Sequence, residues 1–127
     1  MPTDDYPQDV PGSAGFRLGD RETVLFLGEQ DGIPERKLKA RLLSVLDSDP
    51  EILFAYLAQV EYVAREERSV ALCIRTSEGL HDSTISTISR VFAEQFNKRA
   101  HLDVLDLNDK QWGQLRVVCP PFYTREA

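Results

Sequence analysis

Apolar residues change their spacing several times along the chain, and each change marks an element. Thr23 to Glu29, "TVLFLGE", is a compact apolar and β-branched run that stops at Gly28, which reads as a buried strand. A turn at Asp31-Gly32 follows. Pro34 then suits a first helical turn, and Leu38, Leu42, Val45 and Leu46 recur at helical spacing, predicting a helix from about Pro34 to Asp47. From Pro50 to Tyr62 local propensity favours helix, yet Ala58, Val60 and Tyr62 alternate with Leu57, Gln59 and Glu61. The charged "AREER" separates this run from the β-rich "SVALCIRT" as a hairpin loop would. Two antiparallel strands are expected, at about 54 to 63 and 69 to 76, with one helical turn at Pro50 to Leu53.

From Asp82 onward, Ile85, Ile88, Phe92 and Phe96 share one face while Arg90, Glu94 and Lys98 share another, which is the pattern of an amphipathic helix. "HLDVLDL" alternates as a last strand, and "NDKQWGQL" suggests a short turn or helix leading into the tail. The order is β-α-β-β-α-β. That order predicts an α+β, ferredoxin-like sandwich, with two helices on one face of a four-stranded antiparallel sheet.

Composition narrows the picture. At 127 residues and 42% hydrophobic the chain suits one core and not two. Residues 1 to 20 hold Pro2, Pro7, Pro11, Gly12, Gly15 and Gly19 with little apolar content, so a flexible leader is expected, followed by one domain over 21 to 127. A net charge of −6 opposes nucleic acid and anionic membrane as partners, because both select basic surfaces. The opening "MPTDDYPQDVPGSAGF" has neither the positive start nor the apolar stretch of a secretory signal, and no apolar run reaches the ~18 residues of a membrane span. A cytoplasmic protein is expected. Cys73 and Cys119 form no CxxC pair and read as free thiols.

The candidate chemistry is sparse. His81, Asp82 and Ser83 carry the letters of a hydrolytic triad, but consecutive residues point in divergent directions and do not align nucleophile, base and orienter. His81 and His101 flank opposite ends of the second helix, about 25 Å apart at 1.5 Å per residue, which rules out an ion shared between them. No catalytic set, metal or cofactor is expected. Cys73, in mid-strand, reads as an inert core residue, and Cys119 as the more exposed thiol, with no base beside it.

The sheet face away from the helices is the more informative surface. If Val70, Leu72 and Ile74 point towards the helices, period two sends Ala71, Cys73 and Arg75 outward, joined by Leu57, Gln59 and Glu61 and by Asp103 and Leu105. Leu57, Gln59, Glu61, Cys73, Arg75, Asp103 and Leu105 are the candidate binding surface. Such a mixed face suits a homodimer, another protein partner, the chain's own tail, or a small ligand held by Arg75, Glu61 or Asp103. RNA is disfavoured, since no Phe or Tyr occupies an assigned outward position. The tail itself, "PPFY", has the letters of a WW-domain ligand. Trp112, Leu115, Val117 and Val118 just before it supply apolar groups that draw it onto the body, so Phe122 and Tyr123 are expected to pack while "TREA" frays.

Taken in order, "VLFLGE" leading through Pro34 into a helix, "PEILFAYLAQV", "SVALCIRT", "HLDVLDL" and a closing "PFY" resemble the C-terminal domain of the bacterial enhanced-serine-sensitivity (SseB) family, over about residues 21 to 123. The family's name records a phenotype and not a reaction, so the resemblance implies no catalytic residue. Longer members carry an additional N-terminal domain where this chain has the short leader. The function this implies is a non-enzymatic cytoplasmic interaction or regulatory module. The alternatives are a small-molecule sensor, of an amino acid for example, and a toxin-neutralising binding protein.

Overall fold

The computed structural model describes residues 17–18, 23–96 and 100–125. In chain order the elements are β1 (Arg17–Leu18), β2 (Val24–Glu29), α1 (Ile33–Asp47), β3 (Ile52–Tyr62), a 3-10 turn (Val63–Arg65), β4 (Glu67–Thr76), α2 (Asp82–Gln95), β5 (Asp103–Asp106), α3 (Asp109–Val118) and β6 (Tyr123–Thr124). They form an α+β domain on one mixed sheet. Apart from Arg17–Leu18, the leader expected over residues 1 to 20 lies outside the described residues.

The strand order is β1-β5-β4-β3-β2, with β6 also beside β3. The β2-β3 and β3-β4 pairs are antiparallel, whereas β5 lies parallel to β4 and β1 parallel to β5. This corrects the expected all-antiparallel, ferredoxin-like sheet, in which the two strands joined by each helix are kept apart by another strand. Here α2 joins neighbours, and a helical crossover between adjacent strands brings the chain back to run in the same direction. The first predicted strand likewise sits at the sheet edge rather than inside it.

The antiparallel β2-β3 pair, despite the helix between its strands, follows from lengths. Leu25 pairs with Glu61 and Glu29 with Ala58, so β2 covers only the second half of β3. From Glu29 the chain keeps its direction as α1, whose 15 residues span about 22 Å. That matches the roughly 20 Å of β3 from Ile52 to Ala58, and the chain then turns back at Ser48 to Glu51. The β3 edge that β2 leaves open is filled by the tail: Phe54 pairs with Thr124 and Ala55 with Tyr123. Gly28, at φ 155°, sits where the β2 register shifts, a backbone setting that disfavours a side chain.

Both sheet faces are covered. On one, Leu38, Leu42 and Leu46 of α1 and Ile88 and Phe92 of α2 bury Ala55, Leu57, Leu72, Ile74 and Val104. On the other, α3 lays Leu115 and the half-buried Trp112 against Tyr56, Ala58, Val60, Ala71, Cys73 and Leu105. Each such aliphatic side chain contributes about 1.5–3 kcal/mol when fully buried. The helix α3 starts at a reciprocal cap in which the Asn108 side chain accepts from the Gln111 amide at 2.8 Å and Gln111 Oε1 accepts from the Asn108 amide at 3.0 Å. Its place is held by Trp112, which donates to the Tyr56 hydroxyl at 2.9 Å and meets Phe54 at 5.3 Å. The face expected to be open is therefore the floor of a second core.

Candidate functional site

The seven residues expected to form one surface are divided by the register. Leu57 pairs with Leu72, which turns Leu57, Gln59 and Glu61 to the α1 side, while Ala71 pairs with Asp103 and Cys73 with Leu105 on the α3 side. Leu57, Cys73, Asp103 and Leu105 are buried. Arg75 is committed to holding α3: it bonds the Leu107 carbonyl at 3.1 Å, pairs with Asp109 and lies 5.0 Å from the Trp112 ring. Of the original set, only Gln59 and Glu61 remain at a surface.

That surface is the end of the sheet beyond the reach of α1 and α2. Val24 and Phe26 turn to the α3 core, so Leu25 and Leu27 turn the other way, beside Gln59 and Glu61, and remain 48% and 40% exposed. Arg68 closes the strip, 3.5 Å from Glu61. Among the described residues β2 pairs with β3 alone, leaving its outer edge of backbone donors and acceptors open. On the outer face of α1, Arg36 pairs with Asp31, Lys39 with Glu29 and Asp31, and Arg41 with Glu94.

Asp103 lies in a separate polar chain on the α3 side. The Tyr62 hydroxyl donates to its carboxylate, His101 Nε2 bonds its other oxygen, and the Arg65 guanidinium stacks 4.3 Å from the Tyr62 ring. Burial works against the Asp103 charge, but the bonds from His101 and Tyr62 prevail and hold its carboxyl below the ordinary value. Burial, and then the Asp103 charge, push the Tyr62 phenol far up. His101 is raised, chiefly by its bond to Asp103. Each Asp103 oxygen thus has a partner, one Tyr62 and the other His101. Neither thiol is a nucleophile, since burial raises Cys73 well above its ordinary value and Cys119 to about 11. Cys119 is buried, contrary to the exposure expected, because it closes α3 against β3.

The third feature sits where the end of α1, the start of β3 and the start of α2 meet. Asp49, 6% exposed, accepts the Glu51 amide at 3.1 Å on one carboxylate oxygen. Its other oxygen takes the Thr84 hydroxyl at 2.8 Å and faces His81 Nδ1 at 3.2 Å. The opposite ring nitrogen, Nε2, faces Glu51 Oε1 at 3.2 Å. Burial penalises the Asp49 charge, and the bonds from Thr84, Glu51 and His81 outweigh it, leaving the carboxyl below its usual value. Beside them opens a cavity of about 310 Å³ whose walls include the Ser48, Ser83, Thr84 and Thr87 side chains. Sequence reasoning set His81 against His101 and missed the carboxylates at Asp49 and Glu51, which lie near only once α2 is folded against the α1-β3 turn. The "DPE" turn directly after a helix was the available signal.

No protein-family model, curated protein or solved structure matches the chain. Among the described residues no helix is long and apolar enough to cross a membrane.

Proposed function

We propose that the chain is a non-enzymatic cytoplasmic interaction module, related to the C-terminal domain of the SseB family, that docks a second copy of itself along the outer edge of β2. The observation that carries this reading is the open β2 edge with Leu25 and Leu27 exposed beside it. Edge strands of monomeric proteins are commonly blunted by charge, proline or a covering element. This one has a single charge, Glu29, which Lys39 neutralises at 2.6 Å. A second β2 running antiparallel across a twofold axis meets no like charge there and brings four leucines together, which favours a copy of the same chain over a charged partner. The commitment of Arg75, Asp103 and both cysteines to the fold supports the non-enzymatic part of the reading. Multi-angle light scattering of the wild type is expected to show a dimer that Leu25→Lys and Leu27→Lys convert to monomer. A wild type that stays monomeric from micromolar to millimolar concentration would overturn the reading.

A further inference from the structure

The geometry points to a divalent-cation site formed by Asp49, Glu51 and His81, selective for a first-row transition ion such as Zn²⁺ or Mn²⁺. This is independent of the β2 edge and lies on the opposite half of β3. One donor atom from each of the three residues lies within 4.8 Å of the other two. Asp49 Oδ2 stands 3.2 Å from His81 Nδ1 and Glu51 Oε1 3.2 Å from Nε2, so both carboxylates lie close to one imidazole, which would offer a single nitrogen to an ion bound at about 2.0–2.2 Å.

Three further observations favour a cation. The imidazole is placed so that each ring nitrogen faces a carboxylate oxygen, which gathers two anionic groups around one ring. A divalent cation offsets that concentration of negative charge. Glu51 Oε1 is shielded from solvent and makes no well-formed hydrogen bond, its neighbour being His81 Nε2 at 3.2 Å. Asp49 is already oriented: the Thr84 hydroxyl and the Glu51 amide fix its carboxylate, as supporting hydrogen bonds do for metal-bound carboxylates. One nitrogen and two carboxylate oxygens suit Zn²⁺ or Mn²⁺ better than Mg²⁺ or Ca²⁺, which prefer oxygen alone. Three protein ligands leave coordination positions open to the adjoining cavity, where the Ser83, Thr84 and Thr87 hydroxyls stand.

The test uses the full chain, stripped with chelator and titrated with ZnCl₂, MnCl₂ and MgCl₂ by calorimetry and by thermal melting. Glu51→Gln and His81→Gln are the informative variants, since both side chains are partly exposed and neither belongs to a core; far-UV circular dichroism confirms that each folds. One Zn²⁺ per chain is expected, with a raised melting temperature. Each variant should weaken binding by at least about tenfold, the loss expected even for a partner one step removed from a metal. His101→Gln, at the other His–Asp pair, should bind as the wild type does. Equal Zn²⁺ affinity in wild type, E51Q and H81Q, or a response to Mg²⁺ as strong as that to Zn²⁺, would overturn the assignment.

Discussion

Arg125 is expected to be a larger determinant of stability than its place, third from last in the chain, suggests. Helix α1 ends without glycine and has no basic residue in its last turn. Arg125 reaches back to it: Nη2 lies 3.2, 3.0 and 2.8 Å from the carbonyls of Leu46, Asp47 and Asp49, and Nε donates to Ile52 at 2.8 Å. Its backbone N–H also bonds the Leu53 carbonyl at 2.9 Å. Nη2 has two protons for three acceptors, so the side chain makes three effective bonds and not four. Charge-assisted bonds contribute about 1.5–3 kcal/mol each, but carbonyls at an exposed helix end regain water, so one bond's worth at the low end, about 1.5–2 kcal/mol, is lost in Arg125→Ala. The missing cation at the helix C-terminus adds about 0.3–1 kcal/mol. A loss of about 2–3 kcal/mol results, which lowers the melting temperature by roughly 8–12 °C for a domain of this size. Arg125→Lys keeps the charge without the planar fork and should recover less than half of it. Circular dichroism melts at 222 nm, paired with urea titration, measure the effect. An R125A melting curve within about 2 °C of wild type would mean that the last residues fray as the sequence alone suggested.

The pH dependence of stability should carry the mark of His101. Its pKa is raised above 6.5 by the bond to Asp103, with Glu67 adding to and Arg65 opposing the shift. Its contribution is therefore fully present below about pH 6.5 and is lost as pH rises through the higher native value; the stability gap between wild type and His101→Gln should shrink from pH 6 to pH 9, and a constant gap would refute the assignment. Trp112→Ala removes the anchor of α3 and should cost about 3 kcal/mol, the low end for such truncations because the ring is half-buried; urea unfolding that shifts by less than about 1 kcal/mol would count against α3 as the lid of the second core. Both thiols should stay unreactive towards a disulfide reagent in the native protein and react on denaturation, while rapid native labelling of Cys119 would contradict its burial.

Most elements were legible because their periodicities are strong. The α1 stripe of Leu38, Leu42 and Leu46 and the α2 stripe of Ile85, Ile88 and Phe92 are buried as their spacing predicts. The packing of Tyr123 was legible too, although of the apolar residues before it Leu115 is buried and Trp112 half-buried while Val117 and Val118 are exposed. Four things were not. The strand β3 begins at Ile52 instead of passing through a helical turn, because β4 and β6 bond its first residues, a tertiary effect that local propensity does not carry. The phase between β3 and β4 is set by the hairpin geometry, where Glu66 adopts a left-handed conformation, and a one-residue error there moved Leu57, Gln59 and Glu61 to the wrong face. The covering role of α3 was hidden because only Leu115 of its ten residues is buried, so its apolar pattern is faint. The corner at Asp49, Glu51 and His81 joins residues about thirty positions apart, so beyond the "DPE" turn local patterning holds no sign of it.

The β2 edge is tested most directly by amide hydrogen exchange as a function of protein concentration, read residue by residue over Val24–Glu29. Docking of a second copy predicts that the β2 amides not bonded to β3 exchange freely in dilute solution and become protected as concentration rises, while the apparent mass moves from 14.4 kDa towards twice that value. The same amides exchanging at one rate at every concentration, with the mass fixed at that of a single chain, would contradict it.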